Sequence, residues 1–302
     1  MATVVSFINF KGGVGKTTLC VEIGAALASD RYKERVLLVD LDPQTNATLS
    51  LMNEDSWVEH SKSHGTLREF FDACFDKQDF PLHGIVVSSP VPHPQLKNLD
   101  LIPSHIELFG MDLRLATKFG HDNLQAKLFL KKALLPLQSE YTYILIDCPP
   151  NLYLATQNGL FASDNYVIVA LPEYLSTLGV AHIQRSVGEI FKDARRFASD
   201  IGGSPQEFHP PEPIGIIFNR LRTQYGGTYS QEDVMRRISE AYPELVFRTK
   251  VPQSDRIATR AEVKVPIAVS GYAVDSVYEQ RIAEVAEEFY DRLTTPATRS
   301  RG

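Results

Sequence analysis

Short apolar runs of strand length alternate along the chain with longer stretches in which apolar residues recur every three or four positions. The runs are Thr3–Phe10, Val36–Val39, Leu99–Ile102, Tyr143–Ile146, Tyr166–Leu171 and Ile214–Phe218. They are rich in Val, Ile and Leu and seldom interrupted by polar residues, as in strands of a parallel sheet covered on both faces. Helical spacing starts at Thr17, with apolar residues at 19, 20, 23, 26 and 27. It recurs near Glu107–Lys118, Asn123–Leu137, Val180–Ser199 and Gln231–Tyr242. This order predicts one α/β domain over residues 1–293, a doubly wound, mostly parallel sheet with helices on both faces.

Two regions depart from that rhythm. Residues 53–94 are polar and rich in His and Pro, with one helical pattern at Thr66–Phe75, and are expected to form an insertion on the rim of the sheet. Residues 201–213 have the composition of a loop. The pattern closes with a helix over Ala273–Leu293, whose acidic residues are expected on its outer face, and a flexible tail at 294–302.

Composition narrows the class. With 302 residues, 43% of them apolar, the chain can bury a large core, and wholesale disorder is not expected. The opening MATVVSFINF does not read as a signal peptide, and no apolar run approaches the ~20 residues of a membrane helix. Cys20, Cys74 and Cys148 are widely spaced and form no C-x-x-C pair, which argues for a reducing, cytoplasmic setting and against a disulfide framework or zinc site. The formal net charge of −6 does not suggest a nucleic-acid partner, so such a partner must rest on local charge.

The chemistry begins at NFKGGVGKTTL, Asn9–Leu19. A strand, a glycine loop and a helix follow one another there, as a phosphate-binding loop requires. Gly12, Gly13 and Gly15 let the backbone turn successive N–H groups toward one anion, and the next helix adds its positive N-terminus. Lys16 is placed to reach phosphate oxygens, and Thr17 offers a hydroxyl to Mg²⁺. The loop residues assigned to nucleotide are Gly12, Gly13, Val14, Gly15, Lys16, Thr17 and Thr18. The general motif G-x-x-x-x-G-K-[ST] would set a glycine at position 10, where this chain has Phe10, and a second lysine, Lys11, stands at the loop entrance. YILIDCPP ends a strand on Asp147, the position of a Mg²⁺-holding carboxylate, although a strand-ending Asp can also cap a turn. In VLLVDLDPQ, period-two alternation predicts that Asp40 and Asp42 point the same way. Like charges aimed at one place need a cation or reacting water between them. Asp40 is therefore assigned to hydrated Mg²⁺ and Asp42 to the attacking water, with two solvated aspartates as the alternative.

These motifs, in this order, resemble the ParA/MinD group of deviant-Walker ATPases. K-G-G-x-G-K-[ST] is matched by Lys11–Thr17, and LLVDLDPQTNATLSL, YILIDCPP, LIPSHIELFGMDLRL, IIFNR and KVPQSDRIATRAEVKVPI resemble further segments, together covering most of the chain. The resemblance implies ATP and Mg²⁺ as cofactors and a homodimer closed around two ATP molecules. It implies that Lys11 acts in trans on the phosphates of the other subunit, with Lys16 and Asp42 as the remaining catalytic residues. It places Asn219 against the adenine edge and Pro252 beside the base, Asn219 being otherwise a strand-end turn residue. Within the group, ParA-type members bind DNA without sequence preference and work with a ParB-like or cargo-adaptor partner, which implies a nucleoid-associated protein. MinD-type members instead carry a basic, apolar C-terminal helix, whereas the helix here holds Glu284, Glu287, Glu288 and Asp291. A membrane partner is accordingly not expected. Ile214–Lys264 carries nine basic against six acidic residues, from which Arg222, Arg248, Lys250 and Arg256 are the expected DNA contacts, the alternative being a mixed, solvated surface.

Overall fold

The computed structural model describes residues 1–119, 124–222, 229–254, 263–270 and 276–295. Its strands are β1 Thr3–Ile8, β2 Val36–Asp40, β3 Val87–Ser88, β4 Leu99–Ile102, β5 Tyr143–Asp147, β6 Asn165–Ala170 and β7 Glu212–Phe218. Among the described residues they form a seven-stranded sheet in the order β3-β4-β2-β5-β1-β6-β7. Every pairing is parallel except β3 with β4. The helices are α1 Lys16–Ala28, α2 Asn46–Leu51, α3 Glu54–Ser63, α4 Leu67–Phe75, α5 Met111–Phe119, α6 Leu124–Lys127, α7 Phe129–Leu134, α8 Leu154–Ala162, α9 Tyr174–Asp200, α10 Tyr229–Ala241 and α11 Ser276–Thr294.

Both faces of the sheet are covered, as the continuous apolar strands demand. One layer buries Phe71 of α4, Leu160 and Phe161 of α8, Val187 and Phe191 of α9 and Ile238 of α10. The other buries Leu19, Ile23 and Leu27 of α1 against Ile282, Val285 and Phe289 of α11. Phe289 stacks on Phe7 of β1 with ring centroids 5.9 Å apart, so the last helix is part of the core.

The six strands expected from the apolar runs are present. The seventh, β3, comes from residues 53–94, which also supply α3 and α4 and so close one edge of the sheet. Helix α4 starts where the sequence places it because Thr66 caps it and Glu69 reaches back to the Thr66 N–H at 2.8 Å, a capping box worth about 1 kcal/mol. The single helix expected over Asn123–Leu137 is instead α6 and α7, with Asn123 itself outside the described residues. The buried amide of Asn158 lies at the break, accepting from Leu130 N at 3.1 Å and donating to Ala126 O at 2.9 Å. It satisfies backbone groups that a continuous helix would have paired internally. Helix α8 escapes the periodicity because it is buried nearly all round.

The C-terminal helix needs one correction. Glu288, counted on its outer acidic face, is only 5% exposed. It accepts from Arg248 N at 3.0 Å and pairs with Arg292 at 2.7 Å, while Arg292 donates to the carbonyls of Ile214, Glu244 and Val246. The tail at 294–302 lies outside the described residues beyond position 295.

Candidate nucleotide site

The site sits at the C-terminal ends of the central parallel strands, where β1 hands over to the loop that starts α1. Strand β1 stops at Ile8, short of Phe10. There Asn9 donates to Val169 O and accepts from Lys11 N at 2.8 Å, turning the chain into the loop. Phe10 stacks on His182 of α9, centroids 4.9 Å apart, and anchors the loop from outside. Gly15 caps α1 with φ 91°, a left-handed conformation that favours glycine.

Beside the loop lies a cleft of about 470 Å³. Gly12, Gly13, Gly15, Lys16, Thr17 and Thr18 line one end of it and Asn219 and Pro252 another part of its wall, together with Asp42. Val14 belongs to the loop by backbone alone, because its side chain is fully buried beneath it. Most of the expected nucleotide residues therefore meet in one place, although they come from β1–α1, from the segment after β2, from the end of β7 and from position 252. Residues missed by the sequence reading include Glu22, whose buried carboxylate accepts from Ile267 N and Ala268 N at 3.0 and 2.9 Å and holds that wall of the cleft to α1. An acidic residue on the buried face of α1 was the available signal.

The charges at the phosphate end are buried and unbalanced. Lys16 is 5% exposed, and burial pulls its pKa down from the ordinary lysine value, an effect opposed by Asp147 and Asp42. Asp147 is buried, and burial, reinforced by the nearby charge of Asp40, pushes its carboxyl well up. Thr17 Oγ1 donates to Asp147 Oδ2 at 2.6 Å, while Asp147 Oδ1 is buried with no hydrogen-bond partner. A buried carboxylate oxygen left without a donor is costly unless a cation or water meets it. Thr17 and Asp147 thus fit a Mg²⁺ site of the kind completed by phosphate oxygens and water.

Asp40 is held by the protein itself. It sits beside Asp147 in register on the neighbouring strand. Its Oδ2, however, accepts from Thr48 N at 2.8 Å and Thr48 Oγ1 at 2.7 Å, and its Oδ1 from Asp42 N at 3.3 Å. Those donors tie the carboxylate to α2 and the turn before it, so it holds the segment that carries Asp42. Burial raises its pKa to about 7 against the opposing pull of these hydrogen bonds. Period-two alternation carries past the end of β2: Leu37, Val39 and Leu41 are buried in one layer, and the charge of Asp42 lies near enough to Asp40 to help raise its pKa. Asp42 does line the cleft and accepts from Gln44 N at 2.9 Å; burial raises its pKa, which Lys16 partly offsets.

Lys11 points away from its own loop. Its ammonium pairs with Glu173 at 2.5 Å, both side chains being about half exposed. Such a pair is worth at most ~1 kcal/mol and is readily exchanged for another anion. Asn219 is 4% exposed, and its amide turns to the loop: Nδ2 donates to Val14 O at 2.8 Å and Oδ1 accepts from Arg220 N at 2.9 Å. Of the expected DNA contacts, Arg222, Arg248 and Lys250 are exposed, and Arg256 lies outside the described residues. The neighbouring Arg236 and Arg237 pair with Asp233 and Glu240 in their own helix.

Fold and site together define a P-loop nucleotide-binding domain whose loop carries a second lysine. The AAA domain family model AAA_31 matches residues 2–198. The sporulation initiation inhibitor protein Soj of Bacillus subtilis is 37% identical over 258 residues, 85% of this chain and 87% of Soj. Among solved structures, the ATP complex of a Cyanothece McdA variant superposes with a TM-score of 0.71 at 21% identity, covering 96% of each chain. The cobyrinic acid a,c-diamide synthase of Mycobacterium smegmatis, with bound ATP analogue and magnesium, gives a TM-score of 0.70 at 23% identity, covering 98% of this chain and 96% of the enzyme. The chain belongs to the AAA_31 family and, within it, to the ParA/Soj group of partition ATPases.

Proposed function

We propose that the chain is an ATP-driven partition switch. It binds MgATP, closes as a homodimer around two nucleotides, holds DNA without sequence preference and lets go when a ParB-like or cargo-adaptor partner stimulates hydrolysis. This would make it a cytoplasmic, nucleoid-associated protein. The observation that carries the nucleotide part is the set of Lys16, Thr17 and the partnerless Asp147 Oδ1 at the mouth of the glycine loop. The ATP bound by McdA and the ATP analogue and magnesium bound by the cobyrinic acid enzyme support the same assignment.

In this reading Lys16 binds the phosphates of its own subunit, whose negative charge favours the ammonium that burial disfavours. Thr17 and Asp147 would hold Mg²⁺, which supplies charge neutralisation at the transferring phosphoryl group. Asp42 orients the attacking water, and Asp40 keeps the Asp42 turn in place through Thr48. Lys11 leaves Glu173 for the phosphates of the other subunit, where it stabilises charge that develops in transfer to water. The exposed cations Arg222, Arg248 and Lys250 supply the DNA contacts.

The membrane-surface alternative requires an unoccupied apolar face on the last helix. Here Tyr278, Ile282, Val285 and Phe289 of that helix are buried in the core layer that α11 shares with α1. The deciding experiment is retention on random-sequence DNA with and without MgATP, run beside liposome flotation. ATP-dependent, salt-sensitive DNA retention is expected; ATP-dependent flotation without DNA retention would overturn the proposal.

A further inference from the structure

Two consecutive residues at the end of β7 grip two consecutive carbonyls of the phosphate loop. Asn219 Nδ2 donates to Val14 O at 2.8 Å, and Arg220 Nη1 donates to Gly13 O at 2.6 Å. The two pairs of partners are 205 and 207 residues apart in sequence. Arg220 holds this position from a left-handed backbone at φ 59°, uncommon for a residue other than glycine. The geometry also constrains the loop. A Cβ on Gly15 would lie 2.1 Å from Asn219 Nδ2, so that glycine is needed for the amide to lie over the loop as well as for the turn itself.

We propose that Asn219 and Arg220 are positioning residues that preset the loop for phosphate. The proposal rests on the nucleotide reading of the cleft. In a planar trans peptide the C=O and the following N–H point in opposite directions. Holding Gly13 O therefore aims the Val14 N–H away from Arg220, and holding Val14 O aims the Gly15 N–H away from Asn219. Two N–H groups of the anion nest are thereby fixed before any ligand arrives, so binding does not have to order them. The amide of Asn219 is engaged at both ends, by Val14 O and by Arg220 N, so the protein itself sets its orientation over the loop. The same strand end is tied to the wall that carries Pro252: Leu221 N donates to Val251 O at 3.1 Å and Gln253 N to Leu221 O at 2.7 Å. Base and phosphate thus meet one connected piece of backbone.

The test is calorimetric titration of MgATP, MgGTP and magnesium tripolyphosphate into the full chain, as wild type, Arg220→Ala, Arg220→Lys and Asn219→Ala. Arg220 is exposed, so its variants are expected to fold even where Asn219→Ala does not. Arg220→Ala should weaken all three ligands by one common factor, about fivefold to tenfold, with Arg220→Lys recovering part of it. Hydrogen exchange of the Gly12–Gly15 amides in the ligand-free protein should quicken in Arg220→Ala. Unchanged affinities and exchange in Arg220→Ala would overturn the proposal, as would an Asn219→Ala effect confined to the ATP-to-GTP ratio. If wild type bound none of the three ligands, the nucleotide reading would fall and this inference with it. Wild-type binding with unaltered variants would sink the inference alone.

Discussion

The phosphate end of the cleft and its β7 edge are held by different physics. At the phosphate end Lys16, Asp40, Asp42 and Asp147 are all at most 5% exposed, and burial displaces each of their pKa values toward the neutral form. At the β7 edge Arg222, Arg248 and Lys250 are exposed, with the Arg248 side chain 83% accessible. Buried charge is expensive, so each such group must be fixed by specific partners, and losing one has a large effect. Exposed charge is screened by salt, so losses there are graded and ionic-strength dependent. In the proposed reading, chemistry sits where fields are strong and association where salt can tune them.

Variants can break that contrast, starting at the phosphate end. Lys16→Ala should lower affinity for MgATP by about two orders of magnitude or more, since truncating a buried charge that meets an anion costs ~2–5 kcal/mol; fluorescent-nucleotide titration reads it directly. Asp42→Ala should keep nucleotide binding yet slow hydrolysis by about 10²–10⁴-fold, the usual worth of a group positioned on the reacting proton. Normal turnover in a phosphate-release assay would remove Asp42 from the reaction. Glu288→Gln probes the buried charge pair described near the β7 edge. It should destabilise the fold by about 3 kcal/mol in urea, because Arg292 is left without its charged partner.

A smaller effect follows from pH. The Asp40 carboxyl titrates at about 7 in the folded chain, above its ordinary value of 3.8. Its contribution to stability is therefore fully present below about pH 4 and is lost as pH rises through about 7. Thermal melts of the nucleotide-free protein should show the melting temperature falling between about pH 4 and pH 7, with a shallower slope in Asp40→Asn. Last come the surface charges. Arg248→Glu with Lys250→Glu should weaken DNA retention about tenfold at low salt and flatten its dependence on salt concentration. DNA retention that ignored both the charges and the salt would detach DNA binding from this edge.

Much of this was legible in the sequence where one residue type has one physical use. Continuous apolar runs marked the six longer strands, and the glycine loop with Lys16, Thr17 and Asp147 marked residues that the fold brings together at one end of the cleft. Some of what escaped depends on partners distant in sequence, on elements too short for a period or, as in α8, on burial nearly all round. Strand β3 has two residues, and α2 and α7 have six each. The engagement of Asp40 by Thr48 and of Gly13 by Arg220 are choices of side-chain direction made by the tertiary fold. Alternation placed Asp40 and Asp42 near one another, but not the Thr48 and Gln44 donors that orient them. Nothing in the local sequence of Glu288 distinguished it from the acidic residues around it; its burial follows from the carbonyls gathered around Arg292.

The margins of the sheet bear on how copies of the chain can meet. One outer strand, β3, is two residues long and antiparallel to its neighbour. On the opposite side the segment around Val246–Pro252 lies along β7 through bridges at Ile216–Val246 and Leu221–Pro252, with the Phe247 ring filling the space a Gly215 side chain would need. A sheet with long open rims can add strands from other molecules without limit, and these rims are blunted. Open-ended stacking into a continuous ribbon along these margins is thus disfavoured.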